Sequence, residues 1–190
     1  MSKKSTFHNH INNHISTYKL TFDNIEPQIT RASNLIIKAL KRNKQLLIAG
    51  NGGSASDSMH MAAEITGKFI KKGRRPLPAQ SLSSNISNIT AIGNDFSFDD
   101  IFSRQVSAFG SKSSILVAIS TSGRSKNIIK AVIEAKKKGM KVIVLKGKNY
   151  TKLNELSDVV LEAKSNDTAI IQEIHISIIH LLCLNIDLNF

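Results

Sequence analysis

Tryptophan is absent, and cysteine, proline and aromatic residues are scarce: one Cys, three Pro and 5% Phe, Trp and Tyr together among 190 residues. Cys183 has no disulfide partner within the chain and lies in the apolar run from Ile178 to Leu184, so it reads as a packed thiol in a reducing compartment. The few aromatics are not interleaved with the basic residues, which removes the stacking platform used to bind single-stranded nucleic acid. Lys3 and Lys4 are not followed by the apolar segment of a signal peptide, and no stretch is expected to reach membrane-spanning length. A cytoplasmic location without a membrane partner follows by elimination.

What is present is charge of one sign. Lys and Arg number 26 against 14 Asp and Glu, a formal net charge of +12, which favours anionic partners. The cations fall in three separate segments, 41–44, 71–75 and 136–138. They therefore read as solvated surface, and nucleic acid is an unexpected partner. Hydrophobic residues at 41% can fill one sizeable core, and no low-complexity linker divides the chain, so a single domain over 1–190 is expected.

Hydrophobic periodicity splits that domain into an N-terminal helical portion, 1–44, and a core, 45–190. Ile11, Ile15 and Tyr18, then Ile25, Ile29, Leu35, Ile36 and Leu40, fit two amphipathic helices broken near Pro27. Beyond them, short runs rich in Ile, Val and Leu at 46–49, 115–119, 141–145 and 158–163 read as buried parallel strands, with a weaker one at 79–82. Helices are expected at 55–69, 99–109, 125–138 and 169–187. Alternation of strand and helix makes the class α/β.

Two segments share one plan: LLIAGNGGSASDS at 46–58 and ILVAISTSGRSKN at 115–127 each run from a strand through a loop of small polar residues into a helix. Such a loop lets a ligand approach the backbone, where the helix amides face an anion. Asn51, Gly52, Gly53 and Ser54, with Ser120, Thr121, Ser122 and Ser125, supply amides and hydroxyls for a phosphate. Neither loop has the Walker or dinucleotide spacing. The competing reading is that the serines only cap helices. Two such loops at strand ends favour a phosphorylated small molecule, because ligands of parallel sheets collect there.

His60 and Glu64 share a helix face one turn apart. Gln172 and His180, eight residues apart on the last helix, share a face about 80° wide. Polar groups on so apolar a helix need a partner or a task. The four could hold zinc, for which Gln is an unusual ligand, or supply an acid and a base. His175 reads as a core histidine, and His10 and His14 as surface residues.

These residues resemble the bacterial phosphoheptose isomerases of the sugar isomerase (SIS) family. The resemblance rests on Gly50-Asn51-Gly52-Gly53-Ser54, Met59-His60 with Glu64, Thr66-Gly67, Ala91-Ile92-Gly93-Asn94-Asp95, Phe102-Ser103-Arg104, Ile119-Ser120-Thr121-Ser122-Gly123, Lys138 to Val142, and Ile171-Gln172-Glu173-Ile174-His175 with His180, in order from about Leu46 to Leu184. It implies an SIS-type parallel sheet sandwiched by helices, with the N-terminal helices contributing to a homotetramer. The implied reaction converts D-sedoheptulose 7-phosphate to D-glycero-D-manno-heptose 7-phosphate through an enediol, for heptose of lipopolysaccharide or capsule. Glu64 corresponds to the base and His180 to its acid partner. Asn51, Gly52, Gly53, Asn94, Asp95, Ser120, Thr121, Ser122, Ser125 and Gln172 correspond to substrate-binding positions, and His60, Glu64, Gln172 and His180 to those for one Zn²⁺ per subunit. Whether that zinc serves catalysis, structure or storage is open, since metal on Glu64 lowers its basicity. Three positions depart from the family pattern: Ile170 for Arg, Asn85 for Asp and Lys68 for Arg, of which the last keeps the charge without the bidentate fork. Two rivals share the fold, a non-catalytic SIS protein that binds the replication initiator and a sugar-phosphate sensor. The presence of both Glu64 and His180 favours the enzyme over the first.

Overall fold

The computed structural model describes residues 3–190. Three strands are buried almost throughout, which is why they read as continuous apolar runs: β1 (Leu46–Gly50), β3 (Ile115–Ser120) and β4 (Lys141–Gly147), with only Lys141 exposed. β2 (Ala79–Ser81) and β5 (Val159–Ala163) form the edges. All pairings are parallel in the order β2-β1-β3-β4-β5, and a sheet with both faces covered demands apolar residues on both.

Successive side chains leave a strand on opposite faces, and the core divides accordingly. Leu46, Ile48, Val117, Ile119, Ile143 and Leu145 pack on one face against α1 (Lys3–Lys41), α2 (Gly53–Thr66) and α7 (Thr168–Asp187). Leu47, Ala49, Leu116, Ala118, Val142 and Val144 pack on the other. Their partners there come from α4 (Ser103–Phe109), α5 (Lys126–Lys137) and α6 (Lys152–Leu156). α5 shows the logic well, burying Ile128, Ala131, Val132 and Ala135 at helical spacing while Lys136 and Lys137 complement the dipole at its end. The α/β class and the parallel sheet between helices are as the sequence implied.

The structure corrects the sequence reading in five places. First, 1–44 holds one helix of 39 residues with Pro27 inside it, where two helices were expected. A mid-helix proline loses a hydrogen bond and crowds the preceding turn, but Ile25, Ile29, Ala32 and Ile36 are buried on both sides of it, so tertiary packing carries the helix through. Second, the expected helix 99–109 is a 3-10 turn, Phe98–Asp100, followed by α4. Third, α3 (Ile86–Asp95) and α6 lie where no helix was expected. Fourth, α7 is long and apolar enough to cross a membrane by length and composition, yet half of that stretch is buried in the protein. Fifth, Arg74, placed with the solvated cations, is buried.

The strand order sets the place of the site. From β1 the chain moves outward to β2, then returns to the other side of β1 as β3. The connections therefore diverge between β1 and β3, leaving a crevice beyond their carboxyl ends. The loops 51–54 and 120–125 border it.

Candidate active site

The two polar loops are tied to each other. Asn51 and Asn127 exchange side-chain amide hydrogen bonds, each 2.9 Å long, across the crevice, and Asn127 also accepts from the Ile128 amide. The serine hydroxyls are not used as helix caps. Gly52, at φ +57°, occupies the cap position of α2 without a side-chain bond. Ser125 occupies that of α5, and its hydroxyl lies 3.1 Å from Ser120 Oγ, which accepts from the Gly123 amide. Both helices thus present amides without side-chain caps at the strand ends, the arrangement that suits an anion. Thr121 and Ser125 are half-buried and Ser122 is exposed, so the loop faces outward.

The second half of the site lies between α2 and α7, which run side by side in the same direction. Near the start of α2, Gly53 lies directly against Gln172: a Cβ there would stand 2.3 Å from Gln172 Nε2, so any side chain would displace that amide. One to two turns on, His60 Nε2 lies 3.4 Å from Glu64 Oε1 and 3.3 Å from His180 Nε2. The two imidazoles are tilted with centroids 5.2 Å apart, and Phe69 packs against His180 at 5.4 Å. The His60 side chain is 43% exposed and that of Glu64 26%, so the row Glu64–His60–His180 is open on one side. Residues remote in sequence meet here because the spacings 53–60 and 172–180 match along parallel helices. The row is not a closed cage. Among the described residues no three His, Cys, Asp or Glu side chains form a metal cluster.

Asn94 and Asp95, expected at the substrate, end α3 in exposed positions and bond to each other at 2.9 Å. Of the three departures, Asn85 caps α3 by accepting from the Asn88 amide, a task Asp performs equally well. Lys68 is exposed, and Ile170 is 3% exposed within the core. His175 is fully buried, as read, and burial lowers its pKa to about 4 against a lesser opposing effect of the Lys146 backbone. It is therefore neutral. His10 and His14 are partly exposed and face Glu173 at 3.7 and 2.5 Å.

Sequence reasoning missed two groups that bear on the site. Asp57, one turn before His60, has its carboxyl raised to about 6 by burial, against a lesser opposing pull from His60, and its Oδ2 has no hydrogen-bond partner. Arg74 donates 2.6 Å to Asp187 Oδ1, 2.8 Å to the Glu64 carbonyl and 3.1 Å to that of Gly67. Asp187 also accepts from the Ile70 and Lys71 amides. This buried clamp fixes the end of α2, and so the Glu64 backbone, to the end of α7. An aspartate closing a strongly apolar helix, after the run Ile178 to Ile186, was the available signal.

Residues 9–147 match the family model described as SIS domain. The chain is 45% identical over 177 residues to the phosphoheptose isomerase of Nitratiruptor sp., covering 93% of this chain and 94% of that protein. Among solved structures, the phosphoheptose isomerase of Neisseria gonorrhoeae superposes with a TM-score of 0.92 at 38% identity, covering 98% of this chain and 99% of that one. That of Francisella tularensis gives 0.95 at 34% identity, covering 99% and 100%.

Proposed function

We infer the reaction from membership: the chain belongs to the SIS-domain family and, within it, to the phosphoheptose isomerases. It is an aldose–ketose isomerase acting on D-sedoheptulose 7-phosphate and forming D-glycero-D-manno-heptose 7-phosphate, a heptose precursor for lipopolysaccharide or capsule. The observation that carries the mechanism is the meeting of Glu64, His60 and His180 between α2 and α7, beside loops that suit a phosphate.

Loop 120–125 takes the phosphate, and Asn51, Gly52, Gly53, Asn94, Asp95 and Gln172 take the sugar hydroxyls. With the phosphate anchored, the carbonyl end is held against the α2–α7 face, which converts collision into orientation. Glu64 removes the proton from the hydroxyl-bearing carbon beside the ketone, and the electron pair forms the enediol double bond. His180 moves a proton between the two oxygens, so neither carries a full negative charge. Glu64 then returns its proton to the former carbonyl carbon, closing the aldose. Atoms balance, and both residues end as they began.

Zinc, one per subunit, belongs to this reading. Zinc bonds of about 2.0–2.2 Å in a tetrahedron place ligand atoms roughly 3.3 Å apart, and the two separations at His60 have that size. His60, Glu64, His180 and the Gln172 carbonyl would hold the ion. When bound it would supply Lewis acidity to the reaction. A homotetramer and a cytoplasmic location complete the proposal. The tetramer is supported by apolar surface left uncovered on one chain, including Phe7, Ile11, Ile15 and Tyr18 of α1. The location is supported by the single buried thiol, Cys183.

The test incubates purified protein with sedoheptulose 7-phosphate and follows the aldose by NMR, beside Glu64→Gln and His180→Gln. Turnover lost in both variants with folding intact is expected. Binding without turnover by the native chain would replace the enzyme with a sensor.

A further inference from the structure

Among the described residues Lys146 is the one lysine that is buried, at 0% exposure. It stands at the carboxyl end of β4, opposite Ser120 of β3 on one side and Glu162 of β5 on the other. Its three donors are all used: Nζ lies 2.9 Å from the Gly147 carbonyl, 2.8 Å from that of Asn149 and 3.0 Å from Glu162 Oε2. An ammonium has only three donors, so Lys146 as placed has none left for a ligand. Burying a cation costs several kcal/mol unless its partners are well placed, so a lysine held this way at a ligand-binding strand end calls for an account.

Its neighbours supply one. Nζ gathers the turn 147–149 around itself, and the Gly147 amide of that turn donates to the Thr121 carbonyl at 3.0 Å. The aliphatic stem passes beneath the same loop: a Cβ on Gly123 would lie 3.4 Å from Lys146 Cδ. Ser120, Thr121 and Gly123 thus rest on Lys146 directly or through one hydrogen bond. Glu162 is shared with Lys164 at 2.8 Å, so the carboxylate keeps a partner without Lys146.

We propose that Lys146 is a positioning residue for the phosphate end of the substrate, acting through the turn 147–149 to hold loop 120–125 in its anion-binding shape. The proposal rests on the reading that this loop takes the phosphate, and it goes further in assigning part of that affinity to a residue that makes no contact with the ligand.

Inorganic phosphate serves as the probe, as a competitive inhibitor of the full-length enzyme. Lys146→Met keeps the stem and removes the three donors. It is expected to raise KM for the sugar phosphate and the inhibition constant of phosphate together, by about tenfold, or about 1.4 kcal/mol of binding, because the loop amides and hydroxyls are no longer held in place. kcat is expected to stay within about threefold, because Glu64 and His180 are untouched. Lys146→Gln, which keeps one donor group, is expected to give a smaller shift in the same direction, and it stands in should the methionine variant not fold. A folded variant with unchanged phosphate inhibition overturns the proposal alone, as does a fall in kcat with both binding constants unchanged. Failure of phosphate to inhibit the native enzyme overturns the phosphate-loop reading, and this proposal with it.

Discussion

Gly53→Ala separates the geometry of the site from its stability. The added methyl would meet Gln172 Nε2 at 2.3 Å and Cδ at 2.8 Å, while ordinary contact begins near 3.4 Å. The amide must therefore withdraw by about 1 Å, the difference between those distances. Gln172 can do so cheaply, since the clash is with the far end of a flexible, half-buried side chain. Alanine in the first turn of α2 also recovers part of the roughly 1 kcal/mol by which glycine disfavours a helix. Stability is accordingly expected to change by no more than about 1 kcal/mol in urea melts. Catalysis is expected to suffer, because displacing a substrate-holding group by 1 Å can cost up to about a hundredfold. A loss of ten- to a hundredfold in kcat/KM corresponds to about 1.4–2.7 kcal/mol of lost transition-state binding. The paired assay is steady-state kinetics beside urea denaturation. Native kcat/KM in a folded variant would refute the placement of Gln172 at the substrate, and unfolding of the variant would refute the claim that only a side-chain tip is displaced.

Asp187→Asn leaves the Arg74 guanidinium buried without its counter-charge, so urea melts are expected to show a loss of about 3 kcal/mol, the lower end for such pairs because Arg74 keeps three carbonyl acceptors. Burial pushes the Asp187 carboxyl up, but the Lys71 and Ile70 amides and Arg74 outweigh it and hold it below the ordinary 3.8. A depressed acid stabilises the fold above its unfolded value and loses that contribution as pH falls through the folded one. The native chain is therefore expected to lose stability below pH 3.8 more steeply than the variant. Asp57 has the opposite sign. Its carboxyl, raised by burial from 3.8 to about 6, keeps its proton longer in the folded state, so stability declines as pH rises through that window. Asp57→Asn is expected to raise the melting temperature above pH 6, with the gain fading toward pH 3.8. A gain that grows on acidification would contradict the assignment.

Much of the fold was legible because the sheet is buried on both faces, which makes β1, β3 and β4 uninterrupted apolar words in the sequence. The two loops stood out as breaks in those words, and His60 with Glu64 declared itself by helical spacing. What escaped notice did so for physical reasons. α3 buries none of its residues fully, and its short stripe of Ile86, Ile89 and Ile92 is set among Ser, Asn, Thr and Gly, while α6 has only five residues. Pro27 signalled a break that packing overrides. Arg74 and Lys146 resemble surface cations in sequence, because their carboxylate partners lie 113 and 16 residues away and only the folded chain brings them together. The pairing of α2 with α7 was likewise invisible until their parallel packing aligned Gly53 with Gln172 and His60 with His180.

Isomerisation depends on Glu64 moving a proton to and from substrate carbon. Incubating native enzyme and Glu64→Gln with sedoheptulose 7-phosphate in deuterium oxide, and counting deuterium on the carbons next to the carbonyl, measures that step with or without net turnover. Deuterium is expected to enter with the native enzyme and to be absent with the folded variant. Exchange at the native rate without the Glu64 carboxylate would contradict its role as the base.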